Sequence, residues 1–363
     1  MSIIPQSSLC RLFQESSKCR RLTEAKLHTF PVIQHYAVSD SEKYNKYAEN
    51  ILNCSNDLSI RVFSQIQEQG VIAQTSIEGA RWCRCRQCPM CQFARSSKMR
   101  AKLFKAFTNY DFDGKSYSFL TLTIRNRPLD ELRASLKEMT VAWDRLTKRR
   151  TFPILGYLRS MEVTMQRHRL PGDKKKNTGP PTRSPTGQLM AHPHFHILLQ
   201  THEGFDKYSK NKFTLIDEWQ SALCVDYRPS ICLDRVRSTN DDFAKALLET
   251  AKYTVKPGDF VDDVRDRNSS KPKRTSSTEV LPTVVPHGAE WLYGITEQLH
   301  GLRAVRLGGT FAKICSQKEL DRIDDSCEAD NSESQLGNLL KLSWNDLKSS
   351  WNISDVSSCS LGE

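Results

Sequence analysis

Ala191-His-Pro-His-Phe-His-Ile-Leu-Leu199 is the stretch that decides how this chain is read. It has the length and apolar content of a strand, and side chains on a strand alternate between two faces. His194 and His196 therefore share one face, while Phe195 and Ile197 enter a core on the other. Two neutral imidazoles about 7 Å apart along a strand can converge on one divalent ion. Pro193 interrupts regular pairing, which leaves His192 near such an ion without making it a ligand.

Upstream, Ile154–Met165 reads as a second strand, and the Lys-, Arg-, Gly- and Pro-rich stretch 165–188 as an exposed loop. If the two strands pair as a hairpin, Glu162 faces the same side as His194 and His196. That carboxylate is the ligand a phosphate-activating site needs, because Mg²⁺ and Mn²⁺ prefer oxygen donors.

Further out, Tyr117–Ile124 alternates as a strand, and 129–148 carries Leu129, Leu132, Leu136, Met139, Trp143 and Leu146 at helical spacing. A helix over roughly 211–224, a strand over roughly 229–237 and a helix over Phe243–Val255, stopped by Pro257-Gly258, follow. This order predicts an α+β fold: a central antiparallel sheet carrying the His-Phe-His strand, with helices packed on it. In the last of these helices Glu249 and Tyr253 are four apart and so neighbours on one face, with Lys245, Lys252 and Lys256 beside them. Ala244, Leu247, Leu248, Ala251 and Val255 are the expected buried stripe. A phenol of pKa about 10 is a poor nucleophile at neutral pH, but a fair leaving group once attached to phosphorus.

Cys83-Arg-Cys-Arg-Gln-Cys-Pro-Met-Cys91 places Cys83, Cys85, Cys88 and Cys91 together, a thiolate set suited to Zn²⁺. The spacing is compressed for one tetrahedral ion, which leaves room for Cys54 or a histidine to replace one of the four. Arg81, Arg84, Arg86, Arg95, Lys98, Arg100 and Lys102 surround the cluster and read as a phosphate-contacting surface, with Arg84 and Arg86 its centre. A net charge of +11 over 363 residues favours a polyanionic partner in the same way. No apolar run reaches a signal peptide's core or the ~18 residues of a membrane span, so the twelve cysteines are expected to be reduced thiols or metal ligands in the cytoplasm.

The expected organisation is a helical N-terminal region over 1–78, a Cys/Arg-rich zinc element over 79–105 and an α+β core over 106–262. A flexible linker over 263–288, a helical region over 289–323 and a disordered acidic, Ser-rich tail over 324–363 complete it.

His194-Phe195-His196 resembles the histidine–hydrophobe–histidine motif of the HUH endonucleases, and His192–Leu198 is similar to the rolling-circle plasmid initiators among them. The resemblance spans about residues 80–260, including a Cys-, Pro- and Arg-containing motif ahead of the first strand. It implies that Tyr253 nicks single-stranded or hairpin-exposed origin DNA with Mg²⁺ or Mn²⁺ at His194, His196 and Glu162. The products would be a 5′-phosphotyrosyl enzyme and a free 3′-OH primer, and the linkage permits later rejoining. It further implies that Glu249, placed as in initiators with a single tyrosine, activates water at termination. No G-x-x-x-x-G-K-[ST] run is present, so unwinding is expected from a host helicase within the replication machinery of a bacterial, plasmid-bearing cell. A conjugative relaxase or single-tyrosine transposase would share this chemistry. A histidine-triad nucleotide hydrolase would leave the tyrosine helix unexplained, and a non-enzymatic zinc DNA-binding protein would leave the His-Phe-His strand unused.

Overall fold

The computed structural model describes residues 13–67, 70–108, 116–169, 179–202, 205, 207, 208, 211–236, 240–251, 287–327 and 338–358. The chain divides into two compact units, Met1–Lys98 with Asp325–Glu363, and Met99–Asp324.

The first unit begins with helices α1 (Ser17–Leu27), α2 (Thr29–Ala37) and α3 (Glu42–Leu52). Ser16 caps α1, its hydroxyl accepting from the Cys19 amide at 3.1 Å. The chain then turns to strands β1 (Asp57–Gln67) and β2 (Gly70–Ala80), so the helical expectation for 1–78 is corrected beyond Leu52. Leu58, Ile60 and Val62 alternate on β1 and are buried, a period of two that overrides the helical reading. Helix α4 (Pro89–Thr108) follows, and the division between units falls within it.

The expected disordered tail is also corrected. Residues 338–358 form β9 (Asn338–Asn345) and β10 (Ser350–Ser358), giving a four-stranded antiparallel sheet in the order β10-β9-β1-β2. Leu340 and Leu342 pair with Ile60 and Leu58 across β1, and all four side chains are buried. Trp344 and Trp351, directly opposite on β9 and β10, pack edge to face at 5.1 Å. The Ser- and acid-rich composition concealed this alternation.

The second unit is built on strands β3 (Ser116–Thr123), the short β4 (Arg127–Pro128), β5 (Ile154–Met165), β6 (Met190–Thr201), β7 (Ile231–Val236) and β8 (Val305–Gly309). Their order is β7-β3-β6-β5-β8, with β4 pairing to the start of β6, and every pairing is antiparallel. The expected α+β architecture with the His-Phe-His strand at the centre is what the structure has. On one face, Phe195, Ile197, Leu120 and Leu122 meet helix α5 (Leu132–Thr147), whose Trp143 packs edge-on to Tyr157 at 5.0 Å. Helix α6 (Lys212–Leu223) packs beside α5.

Helix α7 (Asn240–Thr250) covers part of the other face, with Phe243 against Tyr117 at 4.9 Å. Its buried stripe is Phe243, Ala246, Leu247 and Thr250 with Ala251 beyond, whereas Leu248 is exposed. The expected stripe was therefore slightly misphased: Phe243 anchors the helix, and its i, i+4, i+7 neighbours follow it inward. Val255 lies outside the described residues.

The region 289–323 is not purely helical. Helix α8 (His287–Gln298) is followed by β8, an edge strand of this sheet, and then by α9 (Thr310–Ile314) and α10 (Gln317–Ser326). Glycine makes that edge possible: a Cβ at Gly308 would overlap the Tyr157 ring, and one at Gly309 (φ +59°) the Leu155 carbonyl. Residues 263–286 of the expected linker lie outside the described residues, and His287 and Gly288 already belong to α8. Among the described residues, no helix is long and apolar enough to cross a membrane.

Candidate metal centre and catalytic face

The β5–β6 hairpin register places Glu162 directly opposite His194, and β3 places Thr121 opposite His196 and Thr123 opposite His194. Strand alternation then puts Glu162, His192, His194, His196, Thr121 and Thr123 on one face. The three expected ligands meet there: Glu162 Oε2 lies 2.9 Å from His196 Nε2 and 3.3 Å from His194 Nε2. Their ligand atoms all fall within 4.8 Å of one another.

Hydrogen bonds set which nitrogens point at the centre. His194 Nδ1 sits 3.2 Å from the His192 carbonyl oxygen, which can only accept, so Nδ1 donates there and Nε2 is the nitrogen turned to Glu162. His196 Nδ1 is held 3.2 Å from the Thr121 hydroxyl, and its ring stacks on Phe119 at 5.7 Å. Two imidazole nitrogens and a carboxylate oxygen aimed at one point form a donor set of the kind that holds a divalent cation. Donors about 2.1 Å from an octahedral ion sit about 3.0 Å apart at right angles, close to the spacings here. The donor set therefore fits a divalent cation.

His192 stands beside this group rather than in it. Its ring centroid is 5.3 Å from that of His194, and Nδ1 is engaged by Asn126 Oδ1 at 2.6 Å. Burial, and secondarily His194, lowers its pKa to about 4, so it is neutral at physiological pH. Behind the site, the buried guanidinium of Arg159 lies over the Phe195 ring at 4.3 Å, bracing the residue between the two histidines.

Tyr117 alternates with Thr121 on β3 and so lies on the histidine face. The Phe243–Tyr117 contact accordingly puts helix α7 on that face as well. Glu249 is half-buried on α7 and Lys245 is exposed. Tyr253, Lys252 and Lys256 lie outside the described residues.

In the other unit, the four thiols that converge are Cys54, Cys83, Cys88 and Cys91. Cys85, expected from the sequence, is not one of them, and Cys54 takes its place. Arg84 adopts a left-handed conformation (φ +61°) between Cys83 and Cys85; the Cys85 thiol still reaches that of Cys83 but falls outside the four sulfurs that are mutually close. Ser55 does the same (φ +53°) after Cys54, and its amide donates to the Arg81 carbonyl at 2.8 Å. Hydrogen bonding from Cys83, Cys88 and Cys91 pulls the Cys54 pKa down, whereas Cys83 is pushed up, first by its contact with Cys54.

Arg84 is exposed and Arg86 half-buried on the same loop. Arg95, grouped with them by sequence, is instead buried and structural: its guanidinium donates to the Arg84 carbonyl at 2.8 Å and to the Cys85 carbonyl at 3.4 Å. Sequence reasoning did not single out Thr121, Asn126 or Arg159. Only the alternation of Thr121 and Thr123 with Leu120 and Leu122 hinted that polar side chains would share the histidine face.

A two-histidine, one-carboxylate centre on the middle of an antiparallel sheet, with a Glu-bearing helix on the same face, is the arrangement that the resemblance to the HUH endonucleases implies. The chain belongs to the Rep_1 replication protein family, whose model matches residues 74–352. It is 29% identical over 187 residues to "Protein rep" of Streptococcus pneumoniae serotype 2 (strain D39 / NCTC 7466), covering 49% of this chain and 52% of that protein. A "Protein rep" of Lactiplantibacillus plantarum is 29% identical over 268 residues, 70% of this chain and 74% of that protein. One from Bacillus amyloliquefaciens is 30% identical over 239 residues, 60% of this chain and 62% of that protein. The chain thus spans about half the length of the first of these relatives and more of the others. No solved structure matches it.

Proposed function

We propose that this protein starts rolling-circle replication of a plasmid by nicking one strand of its origin through Tyr253. The observation that carries the reading is the convergence of His194 Nε2, His196 Nε2 and Glu162 Oε2 on the sheet face that α7 partly covers. A bound Mg²⁺ or Mn²⁺ would polarise the scissile phosphate and offset charge developing on its oxygens. Thr121 and the His192 carbonyl hold the two imidazoles in the orientation that leaves Nε2 directed at the site. Tyr253 Oη, losing its proton, forms a bond to phosphorus as the bond to the 3′ oxygen breaks; that oxygen takes up a proton and becomes the primer. The phosphodiester's energy is kept in the phosphotyrosyl bond, so no nucleotide cofactor is needed for rejoining. Glu249, one turn before Tyr253 in sequence, would take a proton from water when the enzyme is released at termination.

Arg84, Arg86, Lys245, Lys252 and Lys256 would contact the phosphates of origin DNA, and a host helicase would open the duplex ahead of the polymerase. The test is an incubation with Mg²⁺ or Mn²⁺ and a single-stranded oligonucleotide from the replicon's origin, followed by denaturing electrophoresis. A covalent protein–DNA adduct is expected from the wild type and none from Tyr253→Phe. An adduct that survives Tyr253→Phe removes the proposed nucleophile.

A further inference from the structure

Four thiols in the first unit meet with no role in the nicking chemistry. Cys91 Sγ lies 3.6 Å from Cys54 Sγ and 3.5 Å from Cys83 Sγ, and all four sulfurs fall within 4.8 Å of one another. Thiolates about 2.3 Å from a tetrahedral Zn²⁺ stand about 3.8 Å apart, so the group already has the size of one coordination shell. Cys54, Cys88 and Cys91 are fully buried, and the Cys83 amide points at Cys54 Sγ from 3.5 Å, as an N–H does toward a thiolate.

A second, independent observation is Lys26. This lysine of α1 is 6% exposed, and its ammonium donates to the Cys54 carbonyl at 2.7 Å and to Asn56 Oδ1 at 2.6 Å, both neutral acceptors. Burying an ammonium is costly unless negative charge faces it. Besides Asp346, the groups that bear on its charge are the thiols of Cys54, Cys88 and Cys83. Neutral thiols supply no counter-charge, whereas four thiolates around one Zn²⁺ carry a net charge of about −2.

We propose that Cys54, Cys83, Cys88 and Cys91 bind one structural Zn²⁺ in a closed tetrathiolate site, with Lys26 as its buried counter-charge. The ion would join the turn after α3, the Cys/Arg loop and the first turn of α4. Arg84 and Arg86 lie between ligands Cys83 and Cys88, so the metal fixes the shape of the basic loop. Cys85 contacts the Cys83 thiol and Cys327 the Cys91 thiol, but neither belongs to the set of four sulfurs within 4.8 Å of one another, and the proposal assigns the ion to those four alone. This assignment does not depend on the nicking mechanism.

The test is metal content of the full-length protein purified without added zinc, read by mass spectrometry and by chromogenic release with a thiol-blocking mercurial. One zinc per chain is expected, with near-complete loss in Cys54→Ser and Cys88→Ser and full retention in Cys85→Ser and Cys327→Ser. Retention in Cys54→Ser, loss in Cys85→Ser equal to that in Cys54→Ser, or a zinc-free wild type would each overturn the assignment. If Cys54→Ser fails to fold, Co²⁺ exchanged into the wild type decides: a sulfur-to-metal charge-transfer band matching four thiolates supports the site, and one matching three or fewer sinks it. Lys26→Gln, which keeps a hydrogen-bond donor but not the charge, should weaken zinc by about 10-fold or more in chelator competition. Unchanged affinity there would remove Lys26 as the counter-charge. The adduct assay reports separately, so a zinc-free protein that still nicks refutes this inference alone.

Discussion

The two metal-type clusters of this chain are assembled in opposite ways. Glu162, His194 and His196 come from two paired strands, and their meeting follows from hairpin register and the two-residue repeat of the strand. Cys54, Cys83, Cys88 and Cys91 come from a turn, a loop and a helix start, brought together by left-handed residues at Ser55 and Arg84. Each set has one partly exposed member, His196 in the first and Cys83 in the second, the others being buried. Three imidazole and carboxylate ligands leave coordination positions for substrate, whereas four thiolates complete a tetrahedral shell around an ion that must stay.

That contrast can be broken most sharply by chelation. Brief EDTA treatment should abolish nicking, and excess Mg²⁺ or Mn²⁺ should restore it, while metal at the thiol cluster survives both steps. Loss of both metals together would show that the clusters are equally open. Replacing His194 and His196 together by Ala should lower nicking by on the order of 10³-fold or more, while oligonucleotide binding at low salt, read by gel shift, persists.

Glu162→Gln keeps shape but removes the charge that the imidazoles face, and should cost about 10²-fold in nicking, partly recovered at high Mn²⁺. Thr121→Val should cost about 10-fold in metal affinity, read by Mn²⁺ titration of nicking, because His196 loses the partner that orients it. No change would mean that the strand alone fixes the ring.

The smallest effect is a pH dependence of folding. His192 has its pKa lowered from 6.5 to about 4 by burial, so the unfolded chain binds the proton more readily. Its contribution to stability is complete above about pH 6.5 and is lost as pH falls from there toward 4. His192→Gln should flatten that part of the denaturation profile, and an unaltered slope would show that other groups control it.

The same contrast explains what could be read from the sequence. The sheet strands β3, β5 and β6 and the helix α5 were legible because alternation and helical spacing are local signals. Register then followed from one hairpin, which carried Glu162 to His194. Cys85 was chosen over Cys54 because spacing counts only neighbours, whereas the choice of thiol rests on two backbone angles that composition does not reveal. The C-terminal hairpin was missed for a related reason. Leu340 and Leu342 are two apolar residues in a polar stretch, and their burial is defined by Ile60 and Leu58 some 280 residues earlier. Thr121 and Arg159 act through contacts across the sheet, which a one-dimensional pattern does not order.

The pairing of β9 with β1 has a consequence for synthesis. A ribosome completes every strand of the larger sheet, β3 to β8, before β9 exists, so the second unit can close while β1 still has one bare edge. Until residues 338–345 emerge, that edge is open to strands of any neighbouring chain. Messages cut short near the 3′ end would then yield products with a finished larger sheet and an adhesive flank, prone to clump rather than to lose their fold outright.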